Sequence, residues 1–270
     1  MADAVARSTS ELVLRLISAA VLIPVALLMV WIGGVWLALG CAFFAMAMAY
    51  EWVRMSASPL MKQFLPLAAL PVLIAAVVGP LFGVISLLFC AALAGGLHPL
   101  ARERILSAIG LAYVAGMPLA LFMLRTGPWD GAAAALIIMG LVWGSDSAAY
   151  FTGKSIGGPK LSPDSPSKTW SGAIGAVIFT SLCAILAAVI TGGHFIIWPL
   201  VGFVVSVFAQ MGDLAESRIK RHYGVKDASS MIPGHGGVLD RVDGLGIVCV
   251  IAVFAFYATP NLTAQLGLLP

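Results

Sequence analysis

Only twelve acidic residues occur in the 270 positions, yet five of them, Asp213, Glu216, Asp227, Asp240 and Asp243, crowd into the stretch QMGDLAESRIKRHYGVKDASSMIPGHGGVLDRVD from Gln210 to Asp243. The same stretch holds five basic residues and two histidines, a density that packing does not explain. Asp213 sits near the membrane end of an apolar run, where a carboxylate is costly unless it meets a cation or a water-filled cavity. If the helix continues beyond the bilayer, Asp213, Ser217 and Lys220 fall at i, i+4 and i+7 and share a face. The string Pro233-Gly-His-Gly-Gly237 cannot sustain a helix, and its glycines let backbone N–H groups approach an anion, which suits a phosphate cradle around His235, Gly236 and Gly237. Asp240 and Asp243 follow with Arg241 between them. Carboxylates from two segments form an oxygen-ligand site of the kind Mg²⁺ takes together with waters and substrate phosphates. Lys220, Arg221, Lys226 and Arg241 would neutralise those phosphates, while Asp227 beside Lys226 also reads as a turn or helix cap.

A second polar stretch, Asp146 to Gly172, reads DSAAYFTGKSIGGPKLSPDSPSKTWSG. Asp146 lies inside an apolar run, where an ionisable group defaults to function or to a buried partner such as Ser145 or Lys168. Gly157-Gly158-Pro159 and the Ser-Pro steps predict an extended loop over the membrane surface, with Lys160, Ser165, Ser167 and Lys168 as phosphate or ribose contacts. Lys160-Leu161 with Trp170 equally reads as an interfacial anchor.

These residues need a scaffold, and composition specifies it. The chain is 61% hydrophobic and 10% charged with a mean hydropathy of +1.02, against about 45–50% and about 25% in soluble domains. That excludes a soluble globular protein and a disordered one, and a net charge of +3 gives no reason to expect nucleic acid as a partner. Cys41, Cys90, Cys183 and Cys249 stand singly in apolar runs and read as packing residues. The first apolar run lacks a clear small-x-small cleavage site and is expected to be retained.

Hydropathy predicts an all-α polytopic membrane protein with nine spans, near 13–32, 34–50, 64–79, 81–97, 105–124, 131–151, 171–191, 194–212 and 244–260. Gly33-Gly34, Gly79-Pro80 and Gly192-Gly193 supply tight turns between runs. Starting from a cytoplasmic N-terminus, alternation puts fourteen of the 15 basic residues inside and only Arg125 outside, with the C-terminus outside. Residues 1–125 read as a transmembrane scaffold and 126–270 as a catalytic region bearing cytoplasmic loops 152–170 and 213–243. Gly110, Ala112 and Gly116 permit close helix contacts, within one chain or between two copies of a homodimer.

From Ser217 to Asp243 the string S-x-I-K-R-x4-K-D-x-S-x2-I-P-x-H-G-G-V-x-D-R-V-D resembles the signature of the phosphatidate cytidylyltransferase (CDP-diacylglycerol synthase) family without departure. Upstream, Asp146, Ala149, Tyr150, Gly153, Lys154, Lys160 to Pro163, Ser165, Pro166, Lys168 to Trp170 and Gly172 resemble its second block, with Ser167 in place of a common lysine and Ser171 in place of a common acid. The resemblance is specific over the second half of the chain.

It implies an integral enzyme of the bacterial inner membrane, its site facing the cytoplasm, that joins CTP and phosphatidic acid into CDP-diacylglycerol with release of pyrophosphate. It also implies a requirement for Mg²⁺, with or without a second cation. Carried over residue by residue, Asp213 and Asp240 become metal ligands, with Asp243 and Asp146 in support. Lys226 joins these acids as a catalytic group. Lys168, Ser165, Ser217, Lys220, Arg221, His235, Gly236, Gly237 and Arg241 fall to the substrates. Two other classes share the polytopic plan. A CTP-dependent lipid kinase of the dolichol or phytol type would release CDP, and a transporter would favour broken midplane helices and repeat symmetry, which is not seen. The D-G-x2-A-R motif of CDP-alcohol phosphotransferases is absent.

Overall fold

The computed structural model describes residues 2–232 and 236–269, with side chains from Ile17 onward. Each apolar run becomes a helix: α1 (Ala2–Ile32), α2 (Gly34–Met55), α3 (Met61–Val77), α4 (Pro80–Leu97), α5 (Arg104–Thr126), α6 (Gly131–Ile156), α7 (Trp170–Thr191), α8 (Ile197–His222) and α9 (Leu239–Ala258). A one-and-a-half-turn helix α10 (Pro260–Gln265) closes the chain. Among the described residues seven helices, α2 and α4 to α9, are long and apolar enough to cross a membrane; α3 is apolar but shorter, and the described apolar part of α1 is Ile17–Ile32. The glycine turns behave as expected: Gly79 has φ 125° and Gly192 is left-handed at φ 68°, conformations that L side chains rarely adopt.

Two boundaries differ from the hydropathy reading. Helix α9 begins at Leu239, five residues before the predicted span, so Asp240, Arg241 and Asp243 lie in its first turns rather than in a loop. The extended loop after α6 folds into an antiparallel hairpin, β1 (Lys160–Ser162) and β2 (Ser165–Thr169), pairing Lys160 with Thr169 and Ser162 with Ser165.

The chain divides into two compact units. The first holds residues 1–115 and 223–242. In it α2 packs on α3 and α3 on α4. Gly110 of α5 lies beneath the Trp52 indole, where a Cβ would come within 2.1 Å of the ring. This is one of the small residues noted above, and its close contact is made within the chain.

The second unit holds residues 116–222 and 243–270 and centres on α6, α7 and α8. Helix α7 buries a stripe of small residues, Gly172, Ala176, Thr180, Ala184, Ala187 and Ala188. It leaves Ile174, Ile178, Leu182, Leu186 and Val189 more than half exposed. Small residues inward and large apolar ones outward is the pattern of a helix packed against neighbours in lipid, since in water that outer face would be buried. At the end of the unit where α6 begins and α7 stops, the chain terminus forms a clasp. Trp198 Nε1 donates to the Leu266 carbonyl at 3.0 Å, the Asp130 amide to Leu268 at 3.0 Å and the His194 amide to Gln265 at 2.7 Å.

Candidate functional site

The opposite end of the second unit carries the hairpin and the polar residues. Thr169 ends β2 and caps α7, its Oγ1 accepting the Gly172 amide at 3.2 Å. The Ser171 hydroxyl donates to the Gly157 carbonyl and meets Thr169 Oγ1 at 3.0 Å. The residue that departs from the common acid therefore ties the glycine turn after α6 to the start of α7. Ser165 lies half-buried across from Ser162, and Ser167 faces solvent. Lys168 points from β2 to Asp213 of α8 and forms an ion pair with it.

Helix α8 runs 26 residues to His222, so Asp213, Ser217 and Lys220 are all helical as expected. At about 1.5 Å per residue it is about 39 Å long, more than the ~30 Å hydrocarbon core, which leaves its last turns for water and headgroups. Lys220 pairs with Glu216 at 3.0 Å, one turn back; the Glu216 side chain is fully buried and that of Lys220 is 11% exposed. Asp243, at the start of α9, takes the Gly244 amide on Oδ1 at 2.7 Å, lies beside Glu216, and is within electrostatic reach of Asp213 and Asp146. Asp146 is exposed; Ser145 beside it meets Ser206 at 2.8 Å, and Lys168 meets Asp213. Four carboxylates thus gather near two ammonium groups. Arg221 and His222 face solvent at the end of α8.

In the first unit a second carboxylate arrangement fastens Ala228 and Ser229 on one side and Gly237 to Leu239 on the other. Glu51 of α2 is fully buried. Its Oε1 accepts the Ser229 hydroxyl at 2.5 Å and the Val238 amide at 2.8 Å, and Oε2 accepts the Leu239 amide at 2.7 Å. Asp240 Oδ2 accepts the Gly237 amide at 2.8 Å and the Ala228 amide at 3.1 Å. Gly237 is packed so closely that a Cβ would lie 2.8 Å from Glu51 Oε1. Gly236, at φ 85°, accepts the Ile232 amide at 2.8 Å. Lys226, Asp227 and Arg241 are exposed, and His235 with Pro233 and Gly234 lies outside the described residues. Tyr223 packs edge-on to Trp52 at 5.9 Å, and burial together with the Glu103 charge pushes its phenol above the usual range.

Of the predicted acids, Asp146, Asp213 and Asp243 come together in the second unit, whereas Asp240 belongs to the first and braces its loop. Two residues had no assigned role. Glu216 was visible within the polar stretch, but its capture of Lys220 was not. Glu51 carried one available signal, a lone carboxylate in the apolar run AMAMAYEWV.

Among the described residues no three His, Cys, Asp or Glu side chains gather tightly enough to hold an ion unaided. Mg²⁺ does not need that, because it characteristically takes one or two carboxylates and completes its shell with waters and substrate phosphates. The acid-rich, oxygen-only set around Asp213 fits that donor chemistry.

The pattern of the cytidylyltransferase family matches residues 13–259. The chain is 36% identical to the phosphatidate cytidylyltransferase of Brucella melitensis over 95% of its own length and 98% of that protein's. To the protein of the same name from Brucella suis it is 37% identical over the same shares. The Bacillus subtilis phosphatidate cytidylyltransferase is 42% identical over 117 residues, 42% of this chain and 44% of the relative.

Proposed function

The chain belongs to the cytidylyltransferase family, and from that premise we propose that it is a phosphatidate cytidylyltransferase, transferring CMP from CTP to phosphatidic acid to give CDP-diacylglycerol and pyrophosphate. The observation that carries the reading is likeness from end to end, over 95% of this chain, to proteins of that name. A shared nucleotide-binding segment alone would not extend through the membrane helices.

The reaction joins two anions. A phosphate oxygen of phosphatidate attacks the α-phosphorus of CTP, and the bond from that phosphorus to the bridging oxygen of the β-phosphate breaks, so that pyrophosphate departs with the electron pair. The nucleophile is already ionised near neutral pH, so no strong base is required; charge screening and alignment dominate the barrier. Lys168 on the hairpin and Lys220 and Arg221 at the end of α8 supply positive charge beside the acids. Lys226 and Arg241 are exposed in the first unit, available to phosphates. His235, as assigned from the sequence, binds phosphate or stabilises the leaving group. Mg²⁺, held through Asp213 with Asp243 and Asp146 in support, would neutralise phosphate charge and polarise the phosphoryl oxygens it binds.

The polar ends of α6, α8 and α9 face the cytoplasm in this reading, where CTP is available, while the diacyl chains stay in lipid. The test is product analysis of the purified full chain in detergent with CTP, phosphatidic acid and Mg²⁺. Pyrophosphate and a CDP-lipid are expected, with Asp213→Asn slower by on the order of a hundredfold. CDP together with a newly phosphorylated lipid alcohol would instead make it a kinase.

A further inference from the structure

Glu51 has no part in the chemistry described above, yet it is fully buried and both of its oxygens are engaged. A buried charge inside an apolar helix is costly, and an apolar side chain of similar size would usually serve packing as well or better. What only a carboxylate supplies here is acceptor capacity at two oxygens, with no donor of its own.

Its partners are specific. The amides of Val238 and Leu239 stand at the entry to α9, where a helix offers them no carbonyl one turn back and a nearby side chain ordinarily caps it. Valine at 238 cannot do so. The cap comes instead from α2, 187 residues away in sequence. The Ser229 hydroxyl fixes the other side of the loop to the same carboxylate. With Asp240 holding Ala228 and Gly237, the segment after Lys226 and the segment from Gly236 are each fastened to two acids.

We propose that Glu51 is a positioning residue that holds Ser229 and the Gly236–Leu239 segment in the CTP-competent conformation. The inference rests on the cytidylyltransferase reading, since that assigns the loop to phosphate binding. Its consequence follows from charge geometry. In Glu51→Gln the side chain has one acceptor oxygen, and its amide nitrogen must face either the Leu239 amide or the Val238 amide, donor against donor. The anchored loop becomes a partial population, and apparent affinity falls in proportion to the competent fraction.

The experiment compares wild type, Glu51→Gln and Ser229→Ala, each as the full chain in detergent. It measures steady-state kinetics and hydrogen exchange of the amides from Gly236 to Leu239. For Glu51→Gln the KM for CTP should rise roughly tenfold while kcat at saturating CTP recovers to within about twofold. Exchange at Gly236–Leu239 should quicken and slow again when CTP and Mg²⁺ are added. Ser229→Ala, which removes one hydroxyl donor and leaves both amides bonded, should shift KM in the same direction by less, and it decides the matter if Glu51→Gln does not fold. A lower kcat at unchanged KM would mean mere loss of folded enzyme and would overturn the proposal, as would unchanged exchange. A wild type that forms no pyrophosphate from CTP and phosphatidate would overturn the functional reading and this one with it. Normal wild-type turnover with an unaltered Glu51→Gln overturns this one alone.

Discussion

Two ion pairs at the site end of the second unit match in chemistry and differ in surroundings. Lys220 and Glu216 are 11% and 0% exposed, whereas Lys168 and Asp213 are 24% and 37% exposed. Taking one partner from a buried pair strands the other charge and costs about 3–5 kcal/mol. A half-exposed pair is screened and contributes about 0–1 kcal/mol. Lys220→Met is therefore expected to lower the thermal unfolding midpoint in detergent markedly, and Lys168→Met to leave it almost unchanged while reducing cytidylyl transfer. Salt separates them further: at 1 M, where the screening length is about 3 Å, the Lys168 contribution should vanish and the Lys220 penalty persist. Equal midpoints for the two variants would mean that burial does not distinguish the pairs.

At the scale of elements, the hairpin and α7 form one device, because Thr169 is at once the last residue of β2 and the cap of α7. Thr169→Val keeps the shape and strand preference but loses the acceptor for the Gly172 amide, at a cost of about 1 kcal/mol. Thr169→Ser should retain most of it. Unfolding midpoints of the two variants check the assignment, and identical values would show that the cap contributes nothing. This level also marks where the sequence stops being readable. Helices were legible because twenty-residue apolar runs and glycine turns are local signals. The hairpin was not, since Lys-Leu-Ser and Ser-Pro-Ser-Lys-Thr carry no alternating apolar face. Hydropathy missed the early start of α9 because the polar Asp-Arg-Val-Asp turn is stabilised by a carboxylate on α2. Glu51 went unassigned for the same reason: its partners lie 178 to 188 residues away. The acids of the second unit were legible as a group, through their density, but the way Glu216 and Lys168 divide the lysine and aspartate partners was set by packing.

For the whole molecule the open question is sidedness, and the basic residues argue it. Nine crossings from a cytoplasmic N-terminus place fourteen of 15 Lys and Arg inside. If α1 and α3 do not cross, two crossings disappear and parity from His98 onward is unchanged; only Arg54 and Lys62 move outside, leaving twelve inside and three out. The nine-crossing arrangement sorts the charges better, and the site loops face the cytoplasm in both. Single cysteines at exposed positions test this directly, against native cysteines that are buried or half-buried. With a membrane-impermeant maleimide on intact spheroplasts, Pro128→Cys should label at once, whereas Ser167→Cys and Ser230→Cys should label only after permeabilisation. The reverse pattern would put the acids on the side where CTP is absent. Labelling at Pro59→Cys then separates the two counts: protected in intact spheroplasts if α1 and α3 both cross, accessible if neither does.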